Sequence, residues 1–230
     1  MADASSKPRI IEFNGLPGTG KTTLARLVGD LMKNEPDVYG PIYYSYYRYK
    51  FQKNRYSMLL SPGYYVLIYK LWKYSRLFKT PRRLDYCLHA LKFVRMFRQF
   101  LKDVPNGILI IDQGVIQGLI SIGHDELFPS EVGIVDIISN CNIEKMPILI
   151  VNCSCDYTDN IERLLNRHNQ NSRVQKYSLE DMKNLLILQT CNFNTLRQLL
   201  TDNYPSLVEL DINTNISTDE NVKKIIDYMN

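Results

Sequence analysis

The sequence predicts an α/β protein built around a parallel sheet, and three observations predict it. Continuous apolar runs recur along the chain, at Ile108-Leu109-Ile110-Ile111, at Ile148-Leu149-Ile150-Val151 and, more briefly, at Leu207-Val208. Runs of this kind mark strands buried on both faces, which is the environment of a parallel sheet. Helical patterns fall between them, so strands and helices alternate as in βαβ units. A glycine-rich stretch stands between the first apolar run and the first helical pattern.

That stretch organises the rest. Ile10-Ile11-Glu12-Phe13-Asn14 reads as strand one, about 9–14, and is followed by Gly15-Leu16-Pro17-Gly18-Thr19-Gly20-Lys21-Thr22-Thr23. The second run fits G-x-x-x-x-G-K-[ST], the Walker A pattern, in the strand–loop–helix setting that the pattern requires. Glycines at 15, 18 and 20 let the backbone curl until consecutive N–H groups face a polyphosphate. A helix starting near Lys21 adds its positive end. Lys21 can reach the β- and γ-phosphates, and the Thr22 hydroxyl can coordinate Mg²⁺. Residues 15 and 17–23 are thus the expected phosphate-binding set: Gly15, Pro17, Gly18, Thr19, Gly20, Lys21, Thr22 and Thr23. The helix is expected over 21–34, with Leu24, Leu27, Val28, Leu31 and Met32 on its buried face. Glu35-Pro36-Asp37 ends it, because proline cannot continue a helix.

The next segment is unusual in charge. Residues 48–102 hold 14 of the 28 Lys and Arg, and 39–86 hold 12 of the 16 tyrosines. Residues 43–49 suit a strand or an ordered loop equally. Helices are expected at 64–72, opened by Ser61-Pro62-Gly63, and at 80–102, opened by Thr80-Pro81. Leu84, Leu88, Leu91, Phe93, Val94, Phe97 and Leu101 supply the apolar stripe of the second. Arg82, Arg83, Lys92, Arg95, Arg98 and Lys102 are expected to decorate its remaining surface. Such a segment can wall an anionic acceptor, rest on an anionic membrane or bind nucleic acid. Acceptor binding ranks first, membrane or partner docking second and nucleic acid last.

Asn106-Gly107 turns the chain into the strand at 108–112. Asp112 ends it, and ligands of open parallel sheets sit beyond the carboxyl ends of strands. A carboxylate there can orient Mg²⁺ or its waters, accept a proton from an attacking hydroxyl, or merely cap the next helix; a site role is the better reading. Gln113 and Gly114 follow, letting the backbone pass close to a ligand. Further helices are expected at 115–122, 131–140, 157–168, 178–202 and 218–229, with strands at 147–152 and 207–211.

Arg163, Arg167 and Arg173 form the second candidate cluster. The first two lie one helical turn apart, and guanidinium groups suit the charge that builds on a transferred phosphoryl group. Glu12, inside strand one, suits either a base or a buried ion pair, most naturally with an arginine. His89, His124 and His168 share no metal-ligand spacing, so no zinc is expected. Five scattered cysteines give no disulfide framework, and Cys153 and Cys155 read as core. With no apolar leader and no apolar run of membrane-spanning length, a cytoplasmic single domain over 1–230 is expected.

The phosphate loop, the strand ending Asp112-Gln113-Gly114, the stretch Glu162-Arg163-Leu164-Leu165-Asn166-Arg167 and the C-terminal strand and helix follow one another in a recognisable order. In that order the chain resembles the thymidylate kinase-like branch of the phosphate-loop (P-loop) nucleoside monophosphate kinases, over roughly 9–34 and 106–229. The resemblance implies a three-layer P-loop NTPase fold, a five-stranded parallel sheet with helices on both faces and a basic helical insertion. It also implies Mg²⁺-ATP as donor, a small anionic acceptor bound between the first helix and the Asp112 strand, and an arginine-bearing lid within 157–177. The chain departs from thymidylate kinases in carrying Gln113 where an arginine usually follows the aspartate, as in bacterial members of the branch. It also lacks the Glu-Arg pair usual in deoxynucleoside kinases. The expected activity is transfer of the γ-phosphoryl group of ATP to a nucleoside monophosphate, with Lys21, Asp112, Arg163, Arg167 and Arg173 as the catalytic set. Thr22 and Asp112 would hold the metal. A nucleoside, sugar or lipid head group as acceptor, or a nucleotide-dependent switch, are the alternatives.

Overall fold

The computed structural model describes residues 7–40, 64–76, 83–122, 126–128, 131–167 and 176–229. Strand β1, Ile10–Asn14, is buried along its whole length, because two parallel strands flank it. On one side it pairs with β3 (Ile108–Ile111) and on the other with β4 (Ile148–Ser154). The outer positions go to β2 (Val38–Tyr39) and β5 (Val208–Asn213), giving the order β2-β3-β1-β4-β5 with every pairing parallel. The five-stranded sheet is therefore present. Its edge strand β2 is two residues long, too short to leave an alternating or apolar pattern.

Period-two alternation divides the strand side chains between two faces. Ile11, Phe13, Ile110, Leu149, Val151 and Ile212 meet Leu24, Ala25 and Val28 of α1 (Lys21–Leu31) and Val222, Ile225 and Met229 of α8 (Thr218–Met229). The opposite face presents Ile10, Leu109, Ile111, Ile148 and Ile150. It is covered from α3 (Arg83–Asp103), α4 (Val115–Ile122) and α7 (Leu179–Asn203), with α5 (Glu131–Cys141) beside them. Helices on both faces make the three layers. Helix α2 (Tyr65–Ser75) lies outside α3 and α5, and α6 (Tyr157–Leu165) lies over the end of β4. Ser178 starts α7 by accepting the Asp181 N–H at 3.1 Å.

Three expectations about the helices need correction. Helix α1 ends at Leu31, and its buried arc is Leu24, Ala25, Val28 and Met32; Leu27 and Leu31 face outward at 36% and 63% exposure. Leu27 sits about 60° beyond one edge of the buried arc and Leu31 about 20° beyond it, at the helix end, so the sheet does not cover them. Helix α3 buries far more than a stripe, because α2 and α4 contact it and the sheet lies beneath: Phe93, Met96, Phe97 and Phe100 are wholly enclosed. Lys92, Arg95 and Arg98 are therefore partly or wholly withdrawn from solvent, while Lys102 stays exposed. Lys92 is buried, and Arg98 donates to the Cys141 carbonyl at 3.1 Å while its guanidinium lies 5.6 Å from the Tyr64 ring. Cys153 is core as expected, its thiol pushed up to about 12 by burial, whereas Cys155 is only half-buried. The aromatic stretch 43–49, the openings at 61–63 and 80–81, and Arg82, His124, His168 and Arg173 lie outside the described residues.

Candidate functional site

The phosphate loop leaves the carboxyl end of β1 and closes on itself before α1 begins. Thr19 donates its N–H and its hydroxyl to the Leu16 carbonyl, at 3.3 and 2.9 Å. Gly18 has φ +93°, and a Cβ there would strike the Asn160 side chain of α6. Only glycine satisfies both the backbone and the space. Gly20, at φ +80°, is the N-cap of α1 and supplies no side-chain cap, so the first amides of the helix are left for a ligand.

Lys21 and Thr22 open α1 on the ligand side. Lys21 is 8% exposed, and its ammonium donates to the Leu16 carbonyl at 3.0 Å. Burial holds its pKa down at about 8; Cys153 and Asp112 oppose that shift, and the charge of Arg167 adds to it. Thr22 donates its hydroxyl to Asp112 Oδ2 at 2.9 Å. Asp112 reaches it because β3 lies beside β1 in parallel register, Glu12 opposite Ile111, so Asp112 emerges at the same edge of the sheet as the loop. One hydroxyl and one carboxylate are the protein ligands that Mg²⁺ takes at a phosphate site, the rest of its shell being water and phosphate oxygen. The pair fits the metal expected of Thr22 and Asp112. No group of three or more His, Cys, Asp or Glu suited to a metal is found among the described residues.

Among the described residues no arginine pairs with Glu12; its two oxygens accept the N–H groups of Val115 and Gln117 at 3.0 Å each, at the start of α4. Desolvation raises its pKa to about 7, and these amides pull the other way. Gly114 makes the arrangement possible, since a Cβ there would overlap the Glu12 carboxyl. Gly114→Ala is therefore expected to destabilise the protein by roughly 2–4 kcal/mol, through displacement of a buried acid from its donors. Denaturant unfolding would measure it, and a loss below about 0.5 kcal/mol would contradict this account.

The same helix start holds the loop. Gln117 Oε1 accepts the Gly15 N–H at 3.2 Å, across 102 residues of sequence. Gln117 was not foreseen, and no local pattern marks it, because its partner is set by the tertiary placement of α4. Asn160 was missed for the same reason. Gln113 is exposed beyond β3.

The arginines separate. Arg163 donates to Thr214 Oγ1 at 2.9 Å and to the Thr214 carbonyl at 3.1 Å, tying α6 to the turn after β5. It stands next to Gly20 and so at the edge of the loop. Arg167 is exposed, two residues past the end of α6, and close enough to Lys21 to act on its pKa. Phosphate loop and Asp112 are thus brought together, with Arg163 engaged beside them and Arg167 exposed just past the end of α6.

No protein-family model and no curated protein matches this sequence. Solved structures do resemble it. A thymidylate kinase from Candida albicans is 14% identical, with TM-score 0.52, over 96% of this chain and 90% of that one. A deoxyadenosine kinase from M. mycoides, solved with bound dATP, is 12% identical, with TM-score 0.49, over 95% and 97%. By the parallel sheet, its strand order and this similarity along nearly the whole chain, the protein has the three-layer α/β fold of the P-loop kinases.

Proposed function

We propose that the protein is an ATP-dependent phosphotransferase that moves the γ-phosphoryl group of Mg²⁺-ATP to a small anionic acceptor, a nucleoside monophosphate. The observation that carries the reading is the Thr22–Asp112 hydrogen bond beside Lys21, within a loop whose amides face the ligand side. The fold shared with the Candida albicans thymidylate kinase supports it, as does the excess of cations over 48–102.

In this reading the amides of Gly18, Gly20, Lys21 and Thr22 and the Lys21 ammonium bind the β- and γ-phosphates and fix the γ-phosphorus for in-line attack. Thr22 and Asp112 would hold Mg²⁺, which would neutralise charge on the phosphate oxygens. The bond from γ-phosphorus to the β,γ-bridging oxygen breaks, one forms to an acceptor oxygen, and ADP leaves with the electron pair. A monophosphate oxygen is already anionic at neutral pH, so the transfer needs no general base. Glu12, enclosed by its two backbone donors, accordingly plays no chemical part. Arg167, with Arg173 further along the chain, stabilises charge on the transferring group, and Arg163 anchors α6, which precedes them. Addition of a nucleoside monophosphate is expected to stimulate ADP release in a coupled assay. Equal ADP release with and without any acceptor would favour a slow nucleotide switch.

Arg167→Ala is expected to lower kcat by about 10–10²-fold with ATP affinity nearly unchanged. Steady-state kinetics beside equilibrium ATP binding separates the two terms. A collapse of ATP affinity with kcat kept would make Arg167 a binding residue.

A further inference from the structure

Helix α2 presents an outward face that the phosphotransfer chemistry does not use. Its inner side is anchored: Leu67 is buried, Tyr64 and Ile68 border the core, and Lys70 pairs with Asp136 of α5 at 3.7 Å. Its outer side carries Tyr65, Tyr69 and Trp72 at 50%, 60% and 43% exposure, with Val66 at 61%. Positions 65, 69, 72 and 76 recur at helical spacing, so these rings and Arg76 form one stripe. Tyr69 and Trp72 lie 6.2 Å apart, and the Arg76 guanidinium stands 4.9 Å from the Trp72 ring centroid. Surface helices of soluble domains seldom expose three large aromatic rings in a row.

The charge on the stripe selects its partner. Among the described residues its cations are the exposed Lys73 and Arg76, since Lys70 is paired with Asp136, and α2 itself carries no Asp or Glu. A second copy docking through this face would set Lys73 and Arg76 against their own equivalents, since a twofold interface pairs a patch with itself. Nucleic acid would use the ring faces for stacking, yet Arg76 already lies over Trp72, and Val66 offers a base nothing specific. Amphipathic aromatic rings beside cations are what the head-group layer of a bilayer accommodates: rings at the acyl boundary, cations among anionic phosphates.

We propose that the outward stripe of α2, Tyr65, Val66, Tyr69, Trp72 and Arg76, docks the protein peripherally on an anionic lipid surface. No helix among the described residues is long and apolar enough to cross a membrane, so this contact lies in the interface plane. It is independent of which acceptor the enzyme uses.

Trp72 is the only tryptophan, which gives the contact its own reporter. Phosphatidylcholine vesicles containing phosphatidylglycerol are expected to blue-shift its emission, make it quenchable by brominated acyl chains and sediment the protein. Vesicles of phosphatidylcholine alone should do none of these. The double substitution Val66→Ser and Tyr69→Ser, which spares Trp72, should weaken vesicle binding roughly tenfold with the melting temperature retained. Absence of any emission shift or sedimentation with anionic vesicles overturns the proposal. So does a lipid-free dimer whose Trp72 is already blue-shifted and resists brominated lipid, because a second copy then covers the stripe. Binding of a single-stranded oligonucleotide that displaces the vesicles overturns it in favour of nucleic acid.

Discussion

Lys21→Ala is expected to cut phosphoryl transfer by at least about 10²–10³-fold while leaving the fold intact. In the proposed reading the ammonium meets the β- and γ-phosphates of the donor, and among the described residues no other Lys or Arg is as buried beside the loop. The fold survives because the buried charge contributes little to folding. Burial holds its pKa at about 8 against an ordinary 10.5, so the folded protein binds this proton less tightly than the unfolded chain. Between those two values stability therefore rises with pH, which means the charged form costs stability at neutrality. Loss of the side chain removes that cost together with some packing. ATP affinity should follow the same group with the opposite sign. The charge is complete well below pH 8 and is lost as pH rises through 8, so binding should weaken there and take up a proton. Calorimetry in buffers of different ionisation enthalpy measures that uptake. An affinity flat from pH 7 to 9 would place the phosphates away from Lys21.

Asp112→Asn is expected to lower kcat by about 10²-fold or more, with a higher Mg²⁺ requirement and little loss of stability. The amide keeps the size of the carboxylate and can still accept from Thr22, so the 2.9 Å contact need not break. What it loses is the negative charge that a divalent cation requires. Thr22→Ser keeps the hydroxyl and should retain most activity. Thr22→Val removes it and should shift the Mg²⁺ dependence as Asp112→Asn does. If Asp112→Asn instead left the magnesium titration unchanged and lowered only the melting temperature, Asp112 would be a structural partner of Thr22 alone.

How much of this could be read from the sequence depended on how local each cause is. Loop 15–22, the runs of β1, β3 and β4, and helix α4 at 115–122 are written in neighbouring residues, through glycine spacing and apolar periodicity. They appear where expected. Asp112 was readable because a strand end beside a phosphate loop is a place defined by topology. Strand β2 was not, since two residues carry no period and its pairing to β3 is purely tertiary. The cations of α3 were misjudged because amphipathic spacing reports one covered face, and this helix is covered on several. The partners of Glu12 were not readable because they are backbone N–H groups more than a hundred residues away, which no side-chain pattern announces. Gln117 escaped notice by the same route.

The most direct test of the central claim follows the label from γ-labelled ATP, with Mg²⁺, into nucleosides, nucleoside monophosphates and sugars, each beside an acceptor-free blank. Label in a nucleoside diphosphate well above the blank, lost in Lys21→Ala, is the result predicted here. Label recovered only as inorganic phosphate, at the same rate with every acceptor, would contradict it.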